Sequence, residues 1–298
     1  MERLLNKNDP TLVELYEYLD SCSGWLGGDP NNPIWFCAME PADGLTCTFS
    51  PLNYYPEQYP KGDPQPMSDE LADVHFFAKY GGKSRPGGSA FFRSQVGILG
   101  YLVTGNKKTR AKEFFQTYRF YRENRLGLLL NLSPIGVTNR TNADKEWTNK
   151  CLQVDGYKEL LSFKSWTGFD TYKNDYFPNL AKFRSRRFKE LLRKYSPAVI
   201  YCGGKEKRAW SLEAFKTLWS ASNLSFHETG ENSLVKCFST WLENGSQQPT
   251  LLVIGPFYCN RTALNRYEKF HAVGDYIKDR IEEKYGKEWL ANRMRPFI

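Results

Sequence analysis

The chain has 298 residues, of which 41% are hydrophobic and 25% charged, the balance of a globular protein with a core; a disordered or fibrous chain is excluded. Lys and Arg number 41 against 33 Asp and Glu, a formal charge of +8, and aromatic residues reach 15%. Surplus cations suit a polyanion and surplus rings suit bases, but neither identifies a partner.

Met1 to Pro10 holds no apolar segment of a signal peptide, and no run approaches the ~20 apolar residues of a membrane span; the sequence reads as cytoplasmic, without a membrane partner. Asn8-Asp9-Pro10 before Leu12, Leu15 and Tyr16 predicts a capped opening helix. Ile34 to Met39 is a buried strand bounded by Pro33 and Pro41. Residues 42–66 read as a long loop, of the kind that serves as a lid or binding loop or is disordered. A glycine-rich loop, 81–88, leads into a helix from Ala90 to about Val103. Thr109 to Glu123 is a second helix, with Phe114, Phe115, Tyr118 and Tyr121 at helical spacing. Leu126 to Asn131 is a strand, followed by a polar loop from Ser133 to Asn149. Pro178 to Tyr195 is a basic helix carrying Lys182, Arg184, Arg186, Arg187, Lys189, Arg193 and Lys194. Ala198 to Cys202 is a strand that runs into Gly203-Gly204 and a helix to about Trp219. Shorter strands fit between Phe226 and Phe238. Thr250 to Ile254 is a last apolar strand, stopped by Gly255-Pro256, and a final helix begins near Thr262.

Four short, continuously apolar strands separated by helices predict an α/β fold: a three-layer α/β/α sandwich around a central four-stranded, mostly parallel sheet with loop insertions. No repeat and no linker divides residues 1–298, which read as a single domain with an insertion at 43–87. The seven Cys form no C-x-x-C pair and no zinc spacing with the three His, so they read as reduced, largely buried thiols and no metal is expected. Phosphate-loop, zinc-protease and serine-hydrolase motifs are missing.

Ligands of open α/β sheets bind at the carboxyl ends of the strands. Those ends carry Met39-Glu40-Pro41-Ala42-Asp43-Gly44, Asn131, Gly203-Gly204 and Gly255-Pro256-Phe257-Tyr258. A carboxylate, an amide and aromatic or glycine-rich loops there suit a planar polar ligand.

These segments, in this order, resemble the uracil-DNA glycosylase superfamily. Residues 39–44 are similar to its first motif, written G-Q-D-P-Y-H-G, G-E-A-P-G or G-M-N-P-G in different branches. Gly88 to Gly97 resembles the segment that supplies the ring stacked on the base. Leu128 to Leu132 is similar to the L-L-L-N-x strand that ends in the base-reading Asn. Leu252 to Pro256 lies where the H-P-S motif opens the loop that wedges into the duplex. The likeness spans residues 34 to about 270. Gly255 departs from it by standing where the family has His, and residues 43–87 lengthen the segment before the stacking ring. Both departures point away from plain uracil, toward the phage-defence branch that excises glucosylated 5-hydroxymethylcytosine.

The resemblance implies a monofunctional DNA glycosylase that needs no cofactor, leaves abasic sites and takes DNA as its partner, with no obligate protein partner. Glu40 would stabilise the sugar cation and orient or deprotonate water, with Asp43 binding that water or positioning Glu40. Asn131 would read a pyrimidine edge. Phe91, or Phe92, would stack on the flipped base, and Met39 would line its pocket. Gly255, Pro256, Phe257 and Tyr258 would form the wedge, and Asn260, Arg261, Arg85 and Ser133 would contact DNA. Each residue has a plainer role open to it: a capping Glu, a loop Asn, core aromatics, an ordinary loop. The basic helix is either a solvated face or a phosphate-contacting one. Three other functions remain open: uracil excision in base-excision repair, a non-catalytic nucleic-acid binder of the same fold, and an unrelated α/β enzyme acting on a nucleotide or sugar.

Overall fold

The four apolar runs are neighbours in a single sheet. A computed structural model describes residues 27–39, 63–64, 66, 90–107, 111–132, 172–204, 209–256, 264 and 266–298. The strands are β1 (Gly27–Gly28), β2 (Ile34–Ala38), β3 (Leu128–Asn131), β4 (Val199–Gly203), β5 (His227–Glu228), β6 (Phe238–Leu242) and β7 (Thr250–Gly255). The helices are α1 (Ala90–Thr104), α2 (Ala111–Tyr118), α3 (Phe177–Tyr195), α4 (Ala209–Leu218), α5 (Tyr267–Tyr285) and α6 (Glu288–Met294). The predicted opening helix lies outside the described residues.

The sheet runs β1-β3-β2-β4-β7-β6-β5. Its middle, β3-β2-β4-β7, is parallel, and β1, β6 and β5 add to the edges antiparallel. The expected sheet had four strands, which form this parallel middle; among the described residues three more strands extend its edges to seven. The edge strands gave little apolar signal: β1 is two glycines and β5 is an exposed His-Glu pair. The central strands are buried along their whole length, which is why they read as unbroken apolar runs.

Alternation along the strands divides the core in two. Trp35, Cys37, Leu128, Leu130, Ile200, Cys202, Leu252 and Ile254 pack with α3 and α4. Ile34, Phe36, Ala38, Leu129, Val199, Tyr201, Leu251 and Val253 pack with α1, α2 and α5. Helices therefore cover both faces. The described cysteines, Cys37, Cys202 and Cys237, are buried and reduced.

Helix α2 stops five residues short of the expected Glu123. Arg119, Tyr121 and Asn124 take left-handed backbone, and the Tyr121 N–H turns back to the Leu126 carbonyl at 2.8 Å. That turn sends the Tyr121 ring into the core, where its hydroxyl donates to Gln95 Oε1 at 2.6 Å.

Helix direction matters most for the site. The Tyr285 hydroxyl reaches the Pro249 carbonyl at 3.5 Å, beside the start of β7, so α5 runs antiparallel to that strand. Helix α1 lies parallel to α5, with Gly97 against Phe270 and Gly274 against Tyr101. A Cβ on either glycine would come within 2.5 Å of the facing ring, so these positions set the close approach. Arg184, early in α3, touches Leu132 just past β3, whereas α3 ends beside β4's start. The amino ends of α1, α3 and α5 therefore all lie at the carboxyl edge of the sheet.

Candidate functional site

Strand order reverses between β2 and β4. From β2 the chain crosses to β3 on one side, then returns past β2 to β4 on the other. The carboxyl edge at such a switch point is where open α/β sheets place ligands. Here the register pairs Ala38 with Asn131, Cys37 with Cys202 and Gly203 with Gly255. The ladder continues one step further, with Leu132 N–H donating to Ala38 O at 2.8 Å and Gly204 N–H to Gly255 O at 2.9 Å. The four strand ends named from sequence are thus level with one another.

Asn131 is completely buried, yet among the described residues neither its amide nitrogen nor its amide oxygen has a hydrogen-bond partner. Burying an unmade donor or acceptor costs about 1–3 kcal/mol each. Strand alternation puts the side chain on the α1 face with Leu129, since Leu130 and Leu132 belong to the opposite cluster. A donor and an acceptor held side by side and unmet by the described residues match the hydrogen-bonding edge of a base.

The backbone around Asn131 is fixed from both sides. Leu132 N–H is held by β2, and Leu132 O accepts from Arg184 Nη1 at 2.6 Å. Arg184 is fully buried, its guanidinium 5.0 Å from the centre of the Phe188 ring. Sequence reasoning counted Arg184 among surface cations. Its position in the stripe Phe177, Leu180, Ala181, Phe188, Leu191, Leu192 was the signal that it points inward.

The end of β7 is built differently. A Cβ on Gly255 would lie 2.7 Å from the Tyr201 hydroxyl, 2.9 Å from its ring and 3.0 Å from Cys237 Sγ. Tyr201 is buried and donates to Pro256 O at 2.8 Å. Glycine at 255 thus has a steric cause: Tyr201 fills the space that a side chain would need.

Met39 is buried in the cluster under α3 and α4, on the face opposite Asn131, and its contacts are those of a core residue. Pro256 is buried beside Tyr201. Phe91 and Phe92 lie in the first turn of α1, at the carboxyl edge, with their side chains outside the description. Glu40, Asp43, Arg85, Ser133, Phe257, Tyr258, Asn260 and Arg261 lie outside the described residues. Glu40 follows Met39, Ser133 follows Leu132 and Phe257 follows Pro256, so each leaves a strand end directly in the chain.

The edge favours anions. The positive end of α1 faces it, with no acid in the helix's first turn. Burial pushes the Cys202 thiol up, and its contact with Cys37 pushes it further, so this thiol is a core group and not a thiolate nucleophile. The insertion is tied to α3 through Asp63, which accepts from Arg187 at 2.8 Å, from Tyr195 at 2.7 Å and from Lys194. Partial burial raises the Asp63 carboxyl, but the bonds from Lys194, Tyr195 and Arg187 outweigh it and bring its pKa down to about 2. Sequence reasoning did not single out Asp63, whose role depends on an approach across more than a hundred residues.

No known protein-family model matches the chain, and no curated protein matches it in sequence. Among the described residues no helix is long and apolar enough to cross a membrane, and no group of three or more His, Cys, Asp or Glu is placed to hold a metal ion.

Proposed function

We propose that this protein is a monofunctional DNA glycosylase that hydrolyses the N-glycosidic bond of a modified pyrimidine, on a uracil-DNA glycosylase-like sandwich extended at its edges. The observation that carries the reading is the Asn131 amide, buried and unpartnered at the carboxyl edge beside the switch point. A flipped pyrimidine supplies the acceptor and donor that this amide lacks. Its extrusion costs a few kcal/mol of stacking, offset by the pocket and by a wedge from Phe257 and Tyr258.

The bond between C1′ and the base nitrogen breaks with its electron pair leaving on the base. Positive charge develops on the sugar, beneath which the Glu40 carboxylate stabilises it. Glu40 takes a proton from water as the water oxygen bonds to C1′, and Asp43 orients that water. The departed base anion takes up a proton from solvent as Glu40 returns its own to solvent, so the products are the neutral free base and an abasic site. The substrate is a bulky modified pyrimidine, best matched by glucosylated 5-hydroxymethylcytosine in phage DNA, with antiviral defence as the role and the cytoplasm as the place. Two features support a substrate other than uracil: Tyr201 closes the position of the family's His, and residues 43–87 lengthen the segment before the stacking ring.

The test uses DNA bearing uracil, cytosine, 5-hydroxymethylcytosine or its glucosylated form, followed by alkaline cleavage at abasic sites. Strand breaks are expected with a modified pyrimidine alone, and Glu40→Gln lowers the rate by about 10²–10⁴. Breaks at uracil alone overturn the substrate assignment in favour of a repair enzyme. No breaks in any substrate overturn the enzyme in favour of a nucleic-acid binder.

A further inference from the structure

Helix α3 has three faces with different employments. Phe177, Leu180, Ala181, Arg184, Phe188, Leu191 and Leu192 are buried against the sheet. Arg187, Lys194 and Tyr195 hold Asp63 of the insertion. On the third face stand Lys182, Arg186, Lys189 and Arg193, all exposed. Their spacings of four, three and four residues keep them within an arc of about 60° at 3.6 residues per turn. Arg186 pairs with Glu190 at 3.7 Å, the one acid on α3. Among the described residues Lys182, Lys189 and Arg193 meet no acid.

We infer that this stripe is a track for the DNA backbone, leading away from the carboxyl edge of the sheet. It deepens the glycosylase reading, on which the choice of DNA as the polyanion rests. Lys182 lies within a turn of Arg184, the residue that touches the end of β3. From Lys182 to Arg193 the helix rises about 16 Å. At about 3.4 Å of axis per phosphate on one strand, that length spans about five phosphates. The packed helix holds the four cations in line, so their geometry is set before contact.

Two other occupants fit less well. A helix that lies on an anionic membrane inserts an apolar face, and the apolar face of α3 is already spent on the sheet. A protein partner would seek an apolar or aromatic anchor among the charges, and the exposed arc offers none.

The experiment compares wild type with the triple variant K182Q/K189Q/R193Q, and with K236Q/K287Q/R295Q, which removes equal charge from exposed positions outside α3. The probe is a fluorescein-labelled 20-base-pair duplex of unmodified DNA, titrated by anisotropy between 50 and 200 mM KCl. The stripe variant is expected to reduce the slope of log affinity against log salt by about 2 to 3, since each phosphate contact contributes about 0.9. The control triple is expected to keep the wild-type slope, and circular dichroism melting verifies that both fold. An unchanged slope in the stripe variant, or an equal fall in both triples, overturns the track. So does binding to phosphatidylserine vesicles that the stripe variant loses while its DNA slope stays the same. Abasic-site formation on the modified-pyrimidine duplex is read in parallel. A wild type that shows the stripe-dependent slope but makes no abasic site refutes the glycosylase and keeps the track. Excision with equal slopes in both triples refutes the track and keeps the glycosylase.

Discussion

The ends of β3 and β7 sit on the same edge with two strands, β2 and β4, between them, and solve opposite problems. At β3 a polar side chain is taken fully out of water and left unmatched; at β7 a side chain is dispensed with and a tyrosine fills the space. Folding stability favours the second arrangement and disfavours the first. Where a fold keeps the costly option next to a satisfied one, the costly residue is answering to something other than stability. On the proposed function, Asn131 answers to the ligand, while the end of β7 is closed by Tyr201 packing.

The largest effect that sharpens this contrast comes from Asn131→Leu, which keeps the volume and removes both orphaned atoms. Excision efficiency, as kcat/KM on the accepted substrate, is expected to fall about 10- to 100-fold, the value of a paired base contact of 1–3 kcal/mol. The same variant gains about 1–3 kcal/mol of stability in urea unfolding. A loss of stability together with activity would make Asn131 an ordinary structural residue. Next comes Gly255→His, which drives a ring into Tyr201 and costs about 1–3 kcal/mol by overpacking. In a Tyr201→Ala background the cost falls, and the double-mutant cycle shows coupling above about 1 kcal/mol. Strictly additive costs would refute the packing account of the glycine. The smallest effect tests the Asp63 anchor on the far half of α3, away from both strand ends. Asp63→Asn lowers Tm by under about 3 °C near neutral pH. Because the Asp63 carboxyl titrates near 2 when folded and near 3.8 when unfolded, its contribution is present above about pH 4 and lost as pH falls toward 2. The Tm gap between wild type and variant therefore closes between pH 4 and pH 2. A gap that stays constant over that range removes the ion pairs from the explanation.

The central strands were legible because burial on both faces makes a strand apolar at every position, as in Ile34 to Ala38 and Val199 to Cys202. For the same reason the sequence did not reveal which face each residue takes. Tyr201 and Met39 sit in equally apolar runs, yet one reaches the end of β7 and the other packs beneath α3. Asn131 stood out as a polar residue closing an apolar strand, but its lack of a partner is a three-dimensional property. Arg184 was visible in principle through its place on the apolar stripe, and the density of cations around it concealed that place. Strand β1 escaped because a glycine pair carries no periodicity, whereas β5 falls within the 226–238 stretch where shorter strands were expected and β6 begins only at its end. Helix α2 was overextended because Tyr121 has the spacing of a helical residue while its backbone turns left-handed.

The order of the sheet also has a consequence for synthesis. β2 is an innermost strand, flanked by β3 and β4, so it borrows both of its neighbours from later in the chain. The last of them, β4, leaves the ribosome on the order of 160 residues after β2, a delay of roughly 8–30 s at 5–20 residues per second. Throughout that interval a five-residue segment of Ile, Trp, Phe, Cys and Ala has at least one open edge. The nascent chain is thus most exposed to self-association before its own centre can be closed, and slower growth at low temperature or a chaperone that shields the first forty residues is what its production calls for.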